Sequence, residues 1–262
     1  MQLTSQFFIL EQHYLIINVI FFILGTCVGS FLNVVIYRTP NNQSVIKPRS
    51  HCQKCNQTIP FYYNIPIISF ILLKGNCFNC KNKISNQYIF VEILCGLLFA
   101  LAFDDSSIYQ GILLSIVFSC MIVISYIDYY YLLIPSFALY LLIILLIPFS
   151  FIYNQPIMQI IIGSSSITLY LMACTLIVAL LKKEMKILGF GDILLIFFIG
   201  GWLGAIHSFI CLFIAASIGI TYIVINNRFY SKTISKIPFG TCLSISFVLV
   251  ILIKKYTNLF IN

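Results

Sequence analysis

The stretch Leu139-Tyr140-Leu141-Leu142-Ile143-Ile144-Leu145-Leu146-Ile147-Pro148-Phe149 decides the class of fold. It carries no charge and no alternation of apolar with polar residues. A half-buried strand alternates, and so does a strand of a membrane barrel. A second run, Ile206 to Ile225, continues without Asp, Glu, Lys or Arg. Crossing a bilayer as a helix takes about 20 such residues. The second run has that length, and the first lies inside the longer hydrophobic segment Leu132–Ile152, so both read as parts of membrane-spanning helices.

Composition extends this reading to the whole chain. Of 262 residues, 61% are hydrophobic and 8% charged, against about 25% charged in a soluble domain. The net charge of +8 does not indicate nucleic acid, because all 15 Lys and Arg lie between or beyond the apolar runs, as in membrane loops. The N-terminus does not read as a signal peptide. Residues Met1 to His13 hold no Lys or Arg, and no small-residue cleavage site follows the next apolar run.

Eight hydrophobic segments are expected: Tyr14–Tyr37, Tyr88–Phe103, Ile108–Ile127, Leu132–Ile152, Ile157–Leu181, Ile193–Gly204, Ala205–Ile225 and Ile237–Ile253. The expected fold is an all-α integral membrane protein of about eight transmembrane helices. It divides into a first helix over 14–37, a cytoplasmic loop over 38–87 and a polytopic core over 88–262. The loop carries Arg38, Lys47, Arg49, Lys54, Lys74, Lys81 and Lys83 and no acid, which places it in the cytoplasm by the positive-inside rule. Threading from there puts the Asp104–Asp105 turn and Tyr153–Pro156 outside. Residues 128–131, Lys182, Lys183, Lys186, Arg228, Lys232 and Lys236 then fall inside. Lys254 and Lys255 fall near the outer end of the last helix, as exceptions to the rule. Gly25 and Gly29, four apart on the first helix, are expected to permit close helix packing.

Inside the loop, Cys52-Gln53-Lys54-Cys55 and Cys77-Phe78-Asn79-Cys80 form two CxxC pairs 21 residues apart. This is the spacing of Cys₄ zinc ribbons. A loop of this size buries too little surface to fold alone, and bound zinc would supply the missing energy. Disulfides, the alternative, do not suit a reducing compartment. The other six cysteines (Cys27, Cys95, Cys120, Cys174, Cys211, Cys242) stand singly in apolar runs and read as small buried hydrophobes. His51 adjoins Cys52 and reads as a surface residue.

Two acids stand where apolar helices end or begin. Asp128 lies in Ser125-Tyr126-Ile127-Asp128-Tyr129-Tyr130-Tyr131-Leu132-Leu133-Ile134-Pro135, and Asp192 in Gly189-Phe190-Gly191-Asp192. Acids at membrane depth are costly and are functional candidates by default. Two crossings separate them, so both face one side. Paired carboxylates that share a proton can activate a water with one group and polarise a carbonyl with the other. Capping of a helix N-terminus by Asp192 is the structural alternative.

The ordered set of motifs resembles the bifunctional type IV prepilin leader peptidase/N-methyltransferases of bacteria over nearly the whole chain. The set comprises Gly29-Ser30-Phe31-Leu32-Asn33-Val34-Val35-Ile36-Tyr37-Arg38, Asn64-Ile65-Pro66, Tyr88 to Glu92, Asp128 with Ile134-Pro135, the GxGD match Gly189-Phe190-Gly191-Asp192, and Ile237-Pro238-Phe239-Gly240. The resemblance implies catalytic Asp128 and Asp192 in a multi-pass protein of the bacterial inner membrane. It implies cytoplasmic cleavage of a basic leader from prepilin or pseudopilin substrates. It further implies methylation of the new N-terminus by S-adenosylmethionine, with Gly75 a candidate at the methyl-donor site. A peptidase without methyl transfer, and a non-enzymatic membrane assembly factor, are the alternatives. The chain departs from the family pattern at Tyr63 (commonly glutamate), Asn76 (often basic), Leu194 (often lysine) and Thr241 (often proline). Glu92 is a further carboxylate with no assigned role, placed where a negative charge suits the start of a helix.

Overall fold

The computed structural model describes residues 2–103, 107–182, 189–229 and 236–261. Side chains at positions 2–14, 182, 229 and 256–261 are not part of that description. The Asp104–Asp105 turn, Lys183, Lys186 and Lys232 lie outside it. Among the described residues the elements are helical: α1 (Gln2–Arg38), a 3-10 turn (Phe61–Tyr63), α2 (Ile68–Leu72), α3 (Gln87–Ala102), α4 (Ile108–Tyr131), α5 (Ser136–Ile152), α6 (Ile157–Lys182), α7 (Phe190–Phe229) and α8 (Phe239–Ile261). Among the described residues four stretches are long and apolar enough to cross a membrane: Leu15–Arg38, Ile108–Tyr131, Ile157–Leu181 and Phe190–Arg228. The helices Gln87–Ala102 and Ser136–Ile152 are apolar but shorter.

The expected split at Gly204 is present as a break in α7. Gly204 has φ 77° and ψ 172°, inside an otherwise continuous run of helical residues. This backbone region is essentially restricted to glycine, so the two expected segments, 193–204 and 205–225, are two helices meeting at one residue. The fourth segment starts later than expected. Leu132 has φ 54° and Pro135 lies just before the first residue of α5, so Leu132 to Pro135 form a connection rather than a helical turn.

The chain divides into two compact units, Met1–Ile122 and Val123–Asn262. In the first, α1 and α3 pack backbone to backbone. A Cβ on Gly25 would lie 2.7 Å from the Cys95 carbonyl oxygen, and one on Gly29 would lie 2.8 Å from Cα of Glu92. Gly96 answers from α3, where a Cβ would lie 2.8 Å from the Thr26 methyl. Small residues at such crossings let helices approach where lipid offers no hydrophobic drive. The Asn33 side chain then ties the pair, donating to the Tyr88 carbonyl at 3.0 Å.

In the second unit the same device joins α6 to α7. Gly163 and Ser164 face Gly200 and Gly201, and a Cβ on Gly201 would lie 2.6 Å from Ser164 Oγ. Beside this contact Trp202 stacks on Phe149 at 4.2 Å, and Phe198 packs against Phe247 at 5.6 Å. Leu142, Ile167, Leu195, Leu243 and Phe247 are buried in this core. Of the singly placed cysteines, Cys95, Cys120, Cys211 and Cys242 are buried as expected, whereas Cys174 is only half-buried and Cys27 is exposed. Its thiol lies on an outer face of α1.

Candidate active site and metal centre

Asp128 is on the last turns of α4 and is buried. A buried carboxylate needs hydrogen-bond donors, and the start of α8 supplies them. The Thr241 backbone N–H donates to Asp128 Oδ2 at 2.7 Å. The Thr241 hydroxyl lies 3.2 Å from the same oxygen and 2.9 Å from the Ser125 carbonyl. Gly240 makes room for this approach, since a Cβ there would lie 3.1 Å from Asp128 Oδ2.

Asp192 is the third residue of α7, half-buried. It does not occupy the cap position. Its carboxylate reaches back to accept the Gly189 N–H at 3.3 Å, while the Gly189 carbonyl accepts from Asp192 N–H at 3.1 Å. That is the reciprocal half of a capping box. The two aspartates belong to one site. Ile134 is the shared wall: a Cβ on Gly191 would lie 3.0 Å from Ile134 Cβ, and one on Gly240 would lie 3.0 Å from Ile134 Cδ1. Asp128 is near enough for its charge to act on Asp192.

The four loop cysteines also converge. The Sγ atoms of Cys52, Cys55, Cys77 and Cys80 all lie within 4.8 Å of one another, and none of the ten cysteines is in a disulfide. The separation of Cys52 Sγ from Cys80 Sγ is 3.8 Å. Tetrahedral Zn–S bonds of about 2.3 Å place sulfurs about 3.8 Å apart, so the donor set fits zinc. His51 is not among the converging groups.

The cluster is built from two copies of one turn, 25 positions apart. Cys52 N–H donates to Gln57 O and Cys77 N–H to Asn82 O. Asn56 N–H donates to Cys52 O and Lys81 N–H to Cys77 O. Ile59 N–H donates to Ser50 O and Ile84 N–H to Gly75 O. Asn56 and Lys81, at the same place in each turn, both have positive φ. The Cys52 thiol is drawn down to about 6, first by the Cys55 backbone N–H and also by that of Lys54. For Cys80 the Asn82 backbone N–H pulls the same way, but burial and the Cys55, Cys77 and Cys52 sulfurs outweigh it and push that thiol up to about 11. Four clustered sulfurs resist ionising together unless a cation joins them.

The comparisons with known proteins agree with this pair of features. Residues 23–105 match the bacterial peptidase A24 N-terminal domain, and residues 115–224 match the type IV leader peptidase family. A prepilin leader peptidase/N-methyltransferase of Vibrio cholerae serotype O1 is 32% identical, over 92% of this chain and 97% of that protein. The chain belongs to the type IV leader peptidase family. A type 4 prepilin-like proteins leader peptide-processing enzyme of Escherichia coli O78:H11 is 31% identical over 84% of this chain and 88% of its own. A prepilin leader peptidase/N-methyltransferase of Myxococcus xanthus is 51% identical over a shorter stretch, 31% of this chain and 24% of that one. No solved structure matched the chain.

In this leader peptidase family member the Cys₄ cluster borders a cavity of about 370 Å³ in the first unit. Its walls include Tyr63, Phe78, Tyr88, Arg38 and Glu92. Tyr63, which departs from the family's glutamate, stacks on Phe78 at 5.2 Å. Gly75 is not among the residues lining the cavity. Its φ of 68° closes the turn before Cys77, and a Cβ there would lie 3.0 Å from the Phe70 ring. The donation from Thr241, another departure, could not come from a proline, which has no N–H.

Proposed function

We propose that this membrane protein cleaves the leader from type IV prepilins or pseudopilins at the cytoplasmic face of the bacterial inner membrane, and then methylates the new N-terminus. Asp128 and Asp192 are the catalytic pair. The observation that carries this reading is Ile134, which touches both Gly191, next to Asp192, and Gly240, against Asp128. One side chain thus packs beside the backbone next to each of two carboxylates that come from separate helices.

Their environments differ, which suits a division of labour. Asp128 has its Oδ2 held by Thr241, so its ionised form is the better stabilised. Asp192 has only the distant Gly189 N–H and more access to the outside. Asp128 then takes the proton of the attacking water, and protonated Asp192 hydrogen-bonds the scissile carbonyl. The tetrahedral intermediate collapses when the proton passes to the leaving amine.

Cys52, Cys55, Cys77 and Cys80 would hold zinc, which fastens the two loop turns together and gives the loop its fold. The adjoining cavity has the volume of a small-ligand site, about 300–1,000 Å³, with aromatic and polar walls suited to S-adenosylmethionine. When bound, that donor supplies a methyl group on a sulfonium. The names of the relatives support both halves of the function. Incubation of the purified protein with a prepilin and isotopically labelled methyl donor tests them together. Mass spectrometry should show leader removal and one added labelled methyl. An intact prepilin would overturn the peptidase assignment, and a cleaved but unmethylated product would overturn the second half alone.

A further inference from the structure

Of the seven acidic residues in the chain, the side chains of Glu92, Asp128 and Asp192 are described. Two of them form the peptidase site. Glu92 has no part in it. It lies on α3 in the first unit, 7% exposed, and lines the cavity beside the cysteine cluster. Burying a carboxylate in an apolar helix pair is unfavourable unless something specific offsets it.

Helix capping does not explain it. Glu92 is the sixth residue of α3, roughly 7.5 Å from its start at about 1.5 Å per residue. The favourable field of a helix N-terminus fades within the first turn. What holds Glu92 is the loop. The Ile67 backbone N–H donates to its Oε2 at 2.7 Å, and the Ser30 hydroxyl also faces the carboxylate. Ile67 has φ 62°, a conformation that β-branched residues avoid. The backbone bends unfavourably just where it meets this carboxylate.

A carboxylate accepts about four hydrogen bonds, so two donors leave capacity on the cavity side. Among the described residues no cationic side chain forms an ion pair with Glu92. Arg38, which shares the cavity wall, has its guanidinium directed to the Ser44 carbonyl at 2.9 Å. The result is a fixed, buried carboxyl group facing a cavity with aromatic walls at Tyr63, Phe78 and Tyr88. That is a seat for a small organic cation attached to an apolar group.

We infer that Glu92 binds the N-terminal ammonium of the cleaved substrate and accepts its proton, presenting the nitrogen for methylation. This rests on the methyl-transfer half of the proposed function. The ammonium proton moves to a Glu92 oxygen. The freed nitrogen lone pair forms the N–C bond to the methyl of the sulfonium donor. The C–S bond breaks and its electron pair stays on sulfur. The products are a neutral thioether, a neutral Glu92 and a methylated ammonium that carries the remaining charge. A carboxylate would thus be supplied from α3, leaving Tyr63, where the family commonly has a glutamate, to form an aromatic wall.

The test uses the full-length protein in nanodiscs and a short synthetic peptide that begins with phenylalanine. Wild type should bind the free-amine peptide at least tenfold more tightly than its N-acetylated form and should methylate it. Glu92→Gln should lose both that preference and the methylation, while keeping its zinc and its relative affinity for S-adenosylmethionine over S-adenosylhomocysteine. Glu92→Asp, which keeps the buried charge and hence the fold, should retain the preference and methylate at least tenfold more slowly. An unchanged preference in Glu92→Gln overturns the inference. So does selective loss of the sulfonium preference, which would make Glu92 the seat of the donor. A wild type that prefers the free amine through Glu92 but transfers no methyl would refute methyl transfer and leave the seat standing.

Discussion

The backbone N–H of Thr241 donates to Oδ2 of Asp128 at 2.7 Å across 113 residues of sequence. Thr241 is the third residue of α8, where helix N–H groups have no partner within the helix. The interaction therefore costs α8 nothing, and a proline is sterically tolerated there. Thr241→Pro removes the two Thr241 donors to Asp128 and leaves the Gly240 backbone N–H. A hydrogen bond to a charged group contributes about 1.5–3 kcal/mol, or about 10- to 100-fold in rate at 1.4 kcal/mol per decade. Thr241→Pro should lower kcat for leader cleavage by that range with little change in KM. Thr241→Ser, which keeps both donors, should stay near wild type. Steady-state cleavage of a synthetic prepilin peptide checks this.

Asp128→Asn and Asp192→Asn should each abolish cleavage while the protein stays folded. The two should differ in stability. Asp192 is less buried than Asp128 and holds only the Gly189 N–H, so its loss should cost about 0.3–1 kcal/mol, the usual worth of a helix-terminal charge. Asp128 is buried with its donors fixed, and its replacement should cost more. Thermal unfolding in detergent beside the cleavage assay gives both values. Near wild-type cleavage by either variant would remove the aspartyl mechanism.

The two aspartates of the proposed peptidase site could be singled out in the sequence because they sit in contiguous signals: an acid at the edge of an apolar run, and a glycine pair before an acid. The convergence of the four loop cysteines was legible for the same reason. What the sequence hid is tertiary. Ile134 and Gly240 frame the site only because separate helices bring them together, and nothing local marks Ile134 as more than a core residue. Thr241 looked like a plain departure from pattern, yet it donates to the buried Asp128 carboxylate. The repeat of the two cysteine turns was invisible because it lies in backbone hydrogen bonds. Beyond the cysteines the two copies share few residue types. Asn56 and Lys81, for instance, take the same conformation with unrelated side chains.

Gly204 offers a test of the break in α7. Its φ of 77° and ψ of 172° meet no neighbouring atom within 4 Å of an added Cβ, so any cost of substitution is conformational and not steric. Gly204→Ala should destabilise by about 1–3 kcal/mol, the range for a residue held in such a region. Gly200→Ala should also destabilise, but by a clash, because its Cβ would lie 2.6 Å from Ile167. A double variant should be close to additive if the two act independently. Thermal unfolding of the three proteins decides it, and a Gly204→Ala protein as stable as wild type would mean that α7 runs straight.

The cysteine turns make the metal prediction specific. Purified protein should carry about one zinc per chain, and a strong chelator should remove it with loss of protection in residues 50–84. Cys77 is buried, and Cys77→Ser should lower zinc content well below one per chain. Each turn also needs a positive φ at its fifth residue, at Asn56 and at Lys81. Asparagine tolerates that conformation and lysine does so less readily. Lys81→Gly should therefore slow zinc release to a chelator, since glycine takes this conformation freely, whereas Asn56→Gly should change it less. Lys81→Val should accelerate release, because β-branched residues resist positive φ. Release rates followed with a chromogenic chelator rank the variants. Equal rates for Lys81→Gly and Lys81→Val would show that backbone conformation at this turn does not govern how the metal is held.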